Sequence, residues 1–144
     1  MGKLMILALV TGLAFGCENS VIADEGASAT SHLTLQLNGV RGDQGNLVVA
    51  IFDSKEAFTH YEKPLAWVSV RAGINTIELH NFPVQKVAVA AFHDENENGQ
   101  HDSQDNLPLE GWGNSGEISQ WSEPTYEAAL TSTGVVSVQM HYLN

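Results

Sequence analysis

The chain has 144 residues, room for one domain, and its 6 Lys and Arg against 17 Asp and Glu give a formal charge of -11, which argues against nucleic acid or anionic lipid as an electrostatic partner. Cationic partners or bound cations fit that balance better. With a single cysteine there is no intrachain disulfide, so the fold rests on its core alone.

The opening stretch MGKLMILALVTGLAFGC carries one Lys and no acid ahead of an apolar run from Leu4 to Gly16, the pattern of a signal peptide. That run is too short for a comfortable membrane span. Cys17 closes it in a setting that resembles a bacterial lipobox, although Ala14 stands where such motifs most often place Leu. We therefore expect residues 1–17 to be a lipoprotein-type signal peptide, Cys17 to carry lipid, and the mature protein to lie in the periplasm or on the outer membrane. The competing site is ordinary cleavage after Ala23, where Val21-Ile22-Ala23 offers suitable residues. Residues 18–32 are small, polar and acidic and read as a flexible tether, with membrane contact only through the N-terminal lipid.

Residues 33–144 read as the folded domain, and their patterning is that of strands. LTLQLNGV alternates Leu33, Leu35 and Leu37 with polar residues, and LVVAIFD beyond the RGDQGN turn reads as a deeper strand, the two forming a hairpin. Arg41-Gly42-Asp43 is ordinary turn chemistry rather than an adhesion motif. SKEAFTHYEKP predicts a short helix capped by Ser54 and stopped by Pro64, with Phe58 and Tyr61 over the edge of the domain. LAWVSVR and INTIELH predict a second hairpin; KVAVAAFHD predicts a central strand covered on both sides. NLPLEGWGNSGEISQW reads as an irregular loop, and PTYEAAL and VVSVQMHYL as two closing strands. About seven short strands with one short helix predict an all-β fold, an antiparallel β-sandwich.

The chemistry concentrates in HDENENGQHDSQD. Counted from Asp94, oxygen side chains fall at positions 1, 3, 5, 9 and 12 with glycine at 6, the spacing by which an EF-hand-type loop surrounds calcium. The candidate metal ligands are Asp94, Asn96, Asn98, Asp102 and Asp105, with Gln100 offering its backbone oxygen. Asp105 replaces the usual bidentate Glu, and only three of the side chains are carboxylates, so we expect modest affinity for calcium and a role in ordering the loop. A solvated turn held by Asx hydrogen bonds is the alternative. His93 and His101 could serve a transition metal with Asp94 or Asp102, but there is no cysteine and no established ligand spacing beside them.

No catalytic motif assembles, since the chain has no G-x-S-x-G elbow and no H-E-x-x-H. Glu110 and Glu117 flank a tryptophan-containing loop, so a carbohydrate-acting hydrolase with paired carboxylates is the alternative function. Within that loop Glu110, Trp112, Ser115 and Trp121 are a possible binding surface for carbohydrate or an envelope protein; equally, Trp112 could fold back to cap the core.

The blocks GNLVVAIFDSKEAF, KVAVAAFHDENENGQHD, LPLEGWGNSG and PTYEAAL resemble the bacterial exported family catalogued as domain of unknown function 2141. The resemblance spans Leu33 to Leu143 and departs at Val84-Gln85-Lys86, where the family usually has a glycine ahead of the strand. It implies an immunoglobulin-like or transthyretin-like sandwich and an envelope location. Locally, the acidic loop is similar to dockerin-type calcium loops, which also use Asp at the twelfth position. Together these readings lead to an exported, non-enzymatic binding or accessory domain with a calcium-ordered loop.

Overall fold

A computed structural model describes residues 31–143, so the expected signal peptide, Cys17 and most of the expected tether lie outside the described residues. In chain order the elements are β1 (Ser31–Asn38), β2 (Asn46–Phe52), α1 (Lys55–His60), β3 (Ala66–Arg71), β4 (Thr76–Phe82), β5 (Lys86–Asp94), β6 (Ser103–Gln104), β7 (Leu107–Pro108), β8 (Gly111–Ser115), α2 (Tyr126–Ala129), β9 (Thr131–Ser132) and β10 (Gly134–His141). The fold is mostly β, as the alternation requires. Among the described residues no helix is long and apolar enough to cross a membrane.

The strands form one path, β3-β2-β5-β8-β10-β1-β4, with β9 added beside β5 and β6-β7 as a separate hairpin. This corrects the strictly antiparallel expectation, because β1 and β10 pair in parallel, Leu35 beside Val136 and Leu37 beside Val138. Neither expected hairpin forms. β1 pairs with β4 and β10, β2 pairs with β3 and β5, and β3 and β4 stand at opposite ends of the path although only Ala72 to Asn75 separate them. The sheet must therefore curl into a half-barrel, and its concave face is filled by Leu33, Leu35, Leu47, Val49, Ile51, Val87, Val89 and Val138, all fully buried in a single cluster. Val68 and Val70 of β3 and Leu79 of β4 pack against that cluster from the two ends.

Two segments differ from their patterns. The glycine-rich 111–115 stretch is a central strand, β8, paired on one side with β5 and on the other with β10. Its glycines are there because the neighbours come close: a Cβ on Gly113 would strike the Gln139 carbonyl, and one on Gly111 the Tyr142 ring. PTYEAAL forms the single-turn helix α2 rather than a strand, with Thr125 Oγ1 accepting the Ala128 N–H at 3.3 Å as its cap. Ser54 caps α1 in the same way through Ala57 N–H, and α1 ends on Tyr61 in the left-handed region, before Pro64. The two helices cover one end of the convex face, where Phe58, Phe52 and Ala129 make a second buried cluster with Ala88 of β5. The other end of that face is left open, so β5 is covered on both sides only over part of its length.

Candidate functional site

The acidic loop leaves β5 at Asp94, whose carboxylate is 2% exposed and so needs partners. It has them: Oδ1 accepts the Asn98 N–H at 3.0 Å and Oδ2 the Gly99 N–H at 2.8 Å. Asn96 Oδ1 also accepts from Asn98 N–H, and Asn98 Oδ1 from Gln100 N–H, two Asx turns that wind the chain tightly. Gly99, at φ +78, supplies the left-handed residue that this winding demands. The side chains of Asn96 and Asn98 then converge on Asp102, with amide-to-carboxylate distances of 2.6 to 3.0 Å.

So four of the predicted side-chain ligands, Asp94, Asn96, Asn98 and Asp102, are gathered, and Gln100 is tied into the same turn. Asp105 is not. It occupies, with Asn106, the two-residue turn of the β6-β7 hairpin, both at positive φ, where it is exposed and hydrogen-bonds to none of the other candidates. The carboxylate that closes the loop is Glu110, which is buried and accepts the Glu95 N–H at 2.9 Å on one oxygen and the Asp102 N–H at 3.0 Å on the other. Hydrogen bonds to a charged acceptor contribute about 1.5 to 3 kcal/mol each, so Glu110 is a staple for both ends of the loop. Its sequence signal was its place immediately after the loop, in the EGWG block.

Glu117 lies past the other end of β8 from Glu110, beyond the turn at Gly116. Both Glu110 oxygens are committed to backbone N–H groups. Ser115 is also committed, since its fully buried hydroxyl donates to the Ala129 carbonyl at 2.6 Å and accepts the Val89 N–H at 2.8 Å. Trp121 is 76% exposed on the loop ahead of α2.

His93 is a structural residue. Its Nε2 lies 2.7 Å from the Gln44 carbonyl and can only donate there, which leaves Nδ1 to accept the Tyr142 hydroxyl at 2.9 Å. The same phenol oxygen accepts the Arg41 N–H at 3.0 Å, with the Arg41 guanidinium 4.6 Å from the ring centre. Burial pushes the Tyr142 phenol up, and nearby Glu95 adds to this, while the Arg41 N–H and guanidinium pull the other way. With both ring nitrogens engaged, His93 has no lone pair for a metal. Among the described residues no group of three His, Cys, Asp or Glu side chains could hold a metal ion by itself.

The convex face carries a second site that the sequence did not announce. Across the strands, Trp67, Ala50, Ala90 and Asn114 are successive register partners, so two methyl groups lie between larger side chains. The hollow has a volume of about 410 Å³, walled by Phe52 and Tyr61 at one end and by Phe92, Trp112 and His101 at the other. His101 belongs to the acidic loop, where an EF-hand would carry an aliphatic residue, and its ring lies 5.5 Å from that of Phe92. Trp112 therefore lines this hollow instead of capping the core. Among the lining residues, Asn114 has its side-chain oxygen buried out of reach of solvent and without a hydrogen-bond partner, which costs a folded protein about 1 to 3 kcal/mol.

A curled mixed sheet, a stapled oxygen-rich loop and an aromatic hollow characterise this small mostly-β domain. The chain belongs to the family described as "uncharacterized protein conserved in bacteria", domain of unknown function 2141, whose model matches residues 35–139. No curated protein and no solved structure matches it.

Proposed function

We propose that this chain is an exported, non-enzymatic binding or accessory domain of the bacterial envelope, anchored by lipid on Cys17 and carrying a calcium-ordered acidic loop. Its curled sheet serves as a sandwich-like frame in which the halves β3-β2-β5 and β10-β1-β4 face each other across one core. The observation that carries the calcium reading is the convergence of Asn96 and Asn98 on Asp102 beside a buried Asp94 that already holds the loop amides. Each carboxylate oxygen keeps a further lone pair for a cation, and so does each amide oxygen that accepts in the Asx turns. Asp94, Asn96, Asn98 and Asp102 would hold the ion with the Gln100 carbonyl, and the ion would neutralise the crowded negative charge. Without Asp105 the set has two side-chain carboxylates, which favours weak, extracellular-type affinity.

Calorimetric titration with calcium should give a Kd on the order of 10⁻⁴ to 10⁻³ M. A tenfold excess over Kd should add about 1.4 kcal/mol of stability, seen as a raised melting temperature. Asp102→Asn should abolish both. Absence of heat and of any melting shift at millimolar calcium would remove the metal from the reading. Mass spectrometry of the mature N-terminus tests export: a lipidated Cys17 supports the anchor, and a free Asp24 N-terminus overturns it.

A further inference from the structure

We infer that His32 and His80 form a surface chelate for a divalent transition-metal ion, copper(II) before zinc, with water completing the coordination. The inference goes beyond the calcium reading and does not rest on it, because neither residue belongs to the acidic loop. Strand register makes the pair. β1 and β4 align Leu33 with Leu79 and Thr34 with Glu78, which brings His32 beside His80, and one extra residue, Asn81 at φ +56, bulges out before Ser31 meets Phe82. A bulge of this kind re-aims side chains. Leu33, Leu35 and Ile77 turn into the core, so the alternate residues His32, Glu78 and His80 stand exposed on the outer face.

The two rings stand 4.6 Å apart centre to centre, tilted by 51°. A metal about 2.0 to 2.1 Å from a histidine nitrogen lies about 3.2 Å from the ring centre, so two imidazoles bound about 90 to 110° apart have centres roughly 4.5 to 5.2 Å apart. The observed spacing is therefore that of a chelate. His93 has both nitrogens engaged inside the fold, whereas among the described residues neither of these two rings has a hydrogen-bond partner. The Glu78 carboxylate lies 4.0 Å from His80 Nε2, where it favours the proton and leaves the Nδ1 lone pair to a metal. Imidazole suits copper, nickel and zinc, while calcium and magnesium take oxygen, and the order of affinities puts copper(II) first. Two protein nitrogens leave the other positions to water, since no group of three such side chains is gathered among the described residues. β4 is the last strand of the sheet path, so an ion here ties that edge to β1, and the charge of -11 draws cations toward it.

The probes are copper(II) and zinc, each titrated calorimetrically into the full mature protein at pH 7 in a buffer that does not coordinate metals, and again in millimolar calcium. Copper(II) should bind and raise the melting temperature, zinc should bind at least tenfold more weakly, and calcium should displace neither. His32→Ala and His80→Ala, both at exposed positions, should each weaken copper binding at least tenfold while melting like wild type in chelator. His60→Ala and His141→Ala should leave it unchanged. Electron paramagnetic resonance of the copper-loaded protein should show coupling to two imidazole nitrogens, and to one fewer in either pair variant. Copper binding untouched by both pair variants, weakened by only one of them, or displaced by millimolar calcium overturns the proposal, as does failure of copper to bind at all. Two-nitrogen copper binding in a protein that shows no calcium heat would sink the calcium reading and leave this one standing; calcium heat without copper binding would do the reverse.

Discussion

The two faces of β2 and β5 make the sharpest contrast in the molecule. Inward, these strands present Leu47, Val49, Ile51, Val87 and Val89, all fully buried; outward, at paired positions, they present Ala50 and Ala90 between Trp67 and Asn114. One face is filled by branched side chains, and the other is hollow because methyl groups sit between rings. A pleat that sends neighbours to opposite sides thus lets the same dozen residues supply stability on one surface and a concavity on the other.

The contrast breaks most visibly from the inside. Ile51→Ala should lower the unfolding free energy by about 3 to 4 kcal/mol in urea denaturation, since the concave cluster leaves the cavity nowhere to collapse. Glu110→Ala, which orphans the Glu95 and Asp102 amides at the two ends of the acidic loop, should cost about 2 to 3 kcal/mol and open residues 95–102 to limited proteolysis. Glu110→Gln keeps one acceptor and should cost about half as much. If both variants matched wild type, the staple would be an incidental contact.

Tyr142→Phe should cost about 1 kcal/mol, because it strands the His93 Nδ1 acceptor and the Arg41 N–H. The folded phenol ionises above its ordinary 10.0, so its contribution is complete below that pH and is lost as pH rises through the folded value. A pH series of melts should therefore show a shallower alkaline decline in the variant. Ala90→Leu tests the outer face directly: filling the hollow should shift stability by less than about 1 kcal/mol in urea denaturation. A loss as large as that of Ile51→Ala would mean that the outer face is packed core after all. The smallest effect belongs to Lys55, whose ammonium lies 2.6 Å from Glu127 and holds that carboxyl below its usual 4.5, chiefly through their hydrogen bond. That contribution is present above 4.5 and fades as pH falls through the folded value, so Lys55→Met should flatten a slight acid dependence.

Much of the loop was legible because its order is local. The spacing of Asp94, Asn96, Asn98, Gly99 and Asp102 needs only neighbouring backbone to produce the Asx turns observed. Asp105 was misplaced because Gln104-Asp105-Asn106-Leu107 prefers its own tight hairpin to continuing the loop, and Glu110 was missed as closure because it returns from the next strand. β8 looked like a loop since glycine normally marks irregular backbone, yet here Gly113 answers the Gln139 carbonyl on the neighbouring strand. Ser115 and Glu110 looked like surface candidates because no sequence records which polar groups a strand will bury.

By itself the sequence determined what depends on neighbours in the chain: where β1 to β5 and β10 run, which face of β1 is apolar, how α1 is capped by Ser54 and how the acidic residues wind around Gly99. Only the tertiary structure decided who pairs with whom. The parallel contact of β1 with β10, the separation of β3 from β4, and the alignment of Trp67, Ala50, Ala90 and Asn114 into a single row are all choices of register between distant segments. Burial of an apolar face specifies that a strand must pair, but several partners would bury it equally well. The hollow comes from the particular pairing that the curled sheet adopts.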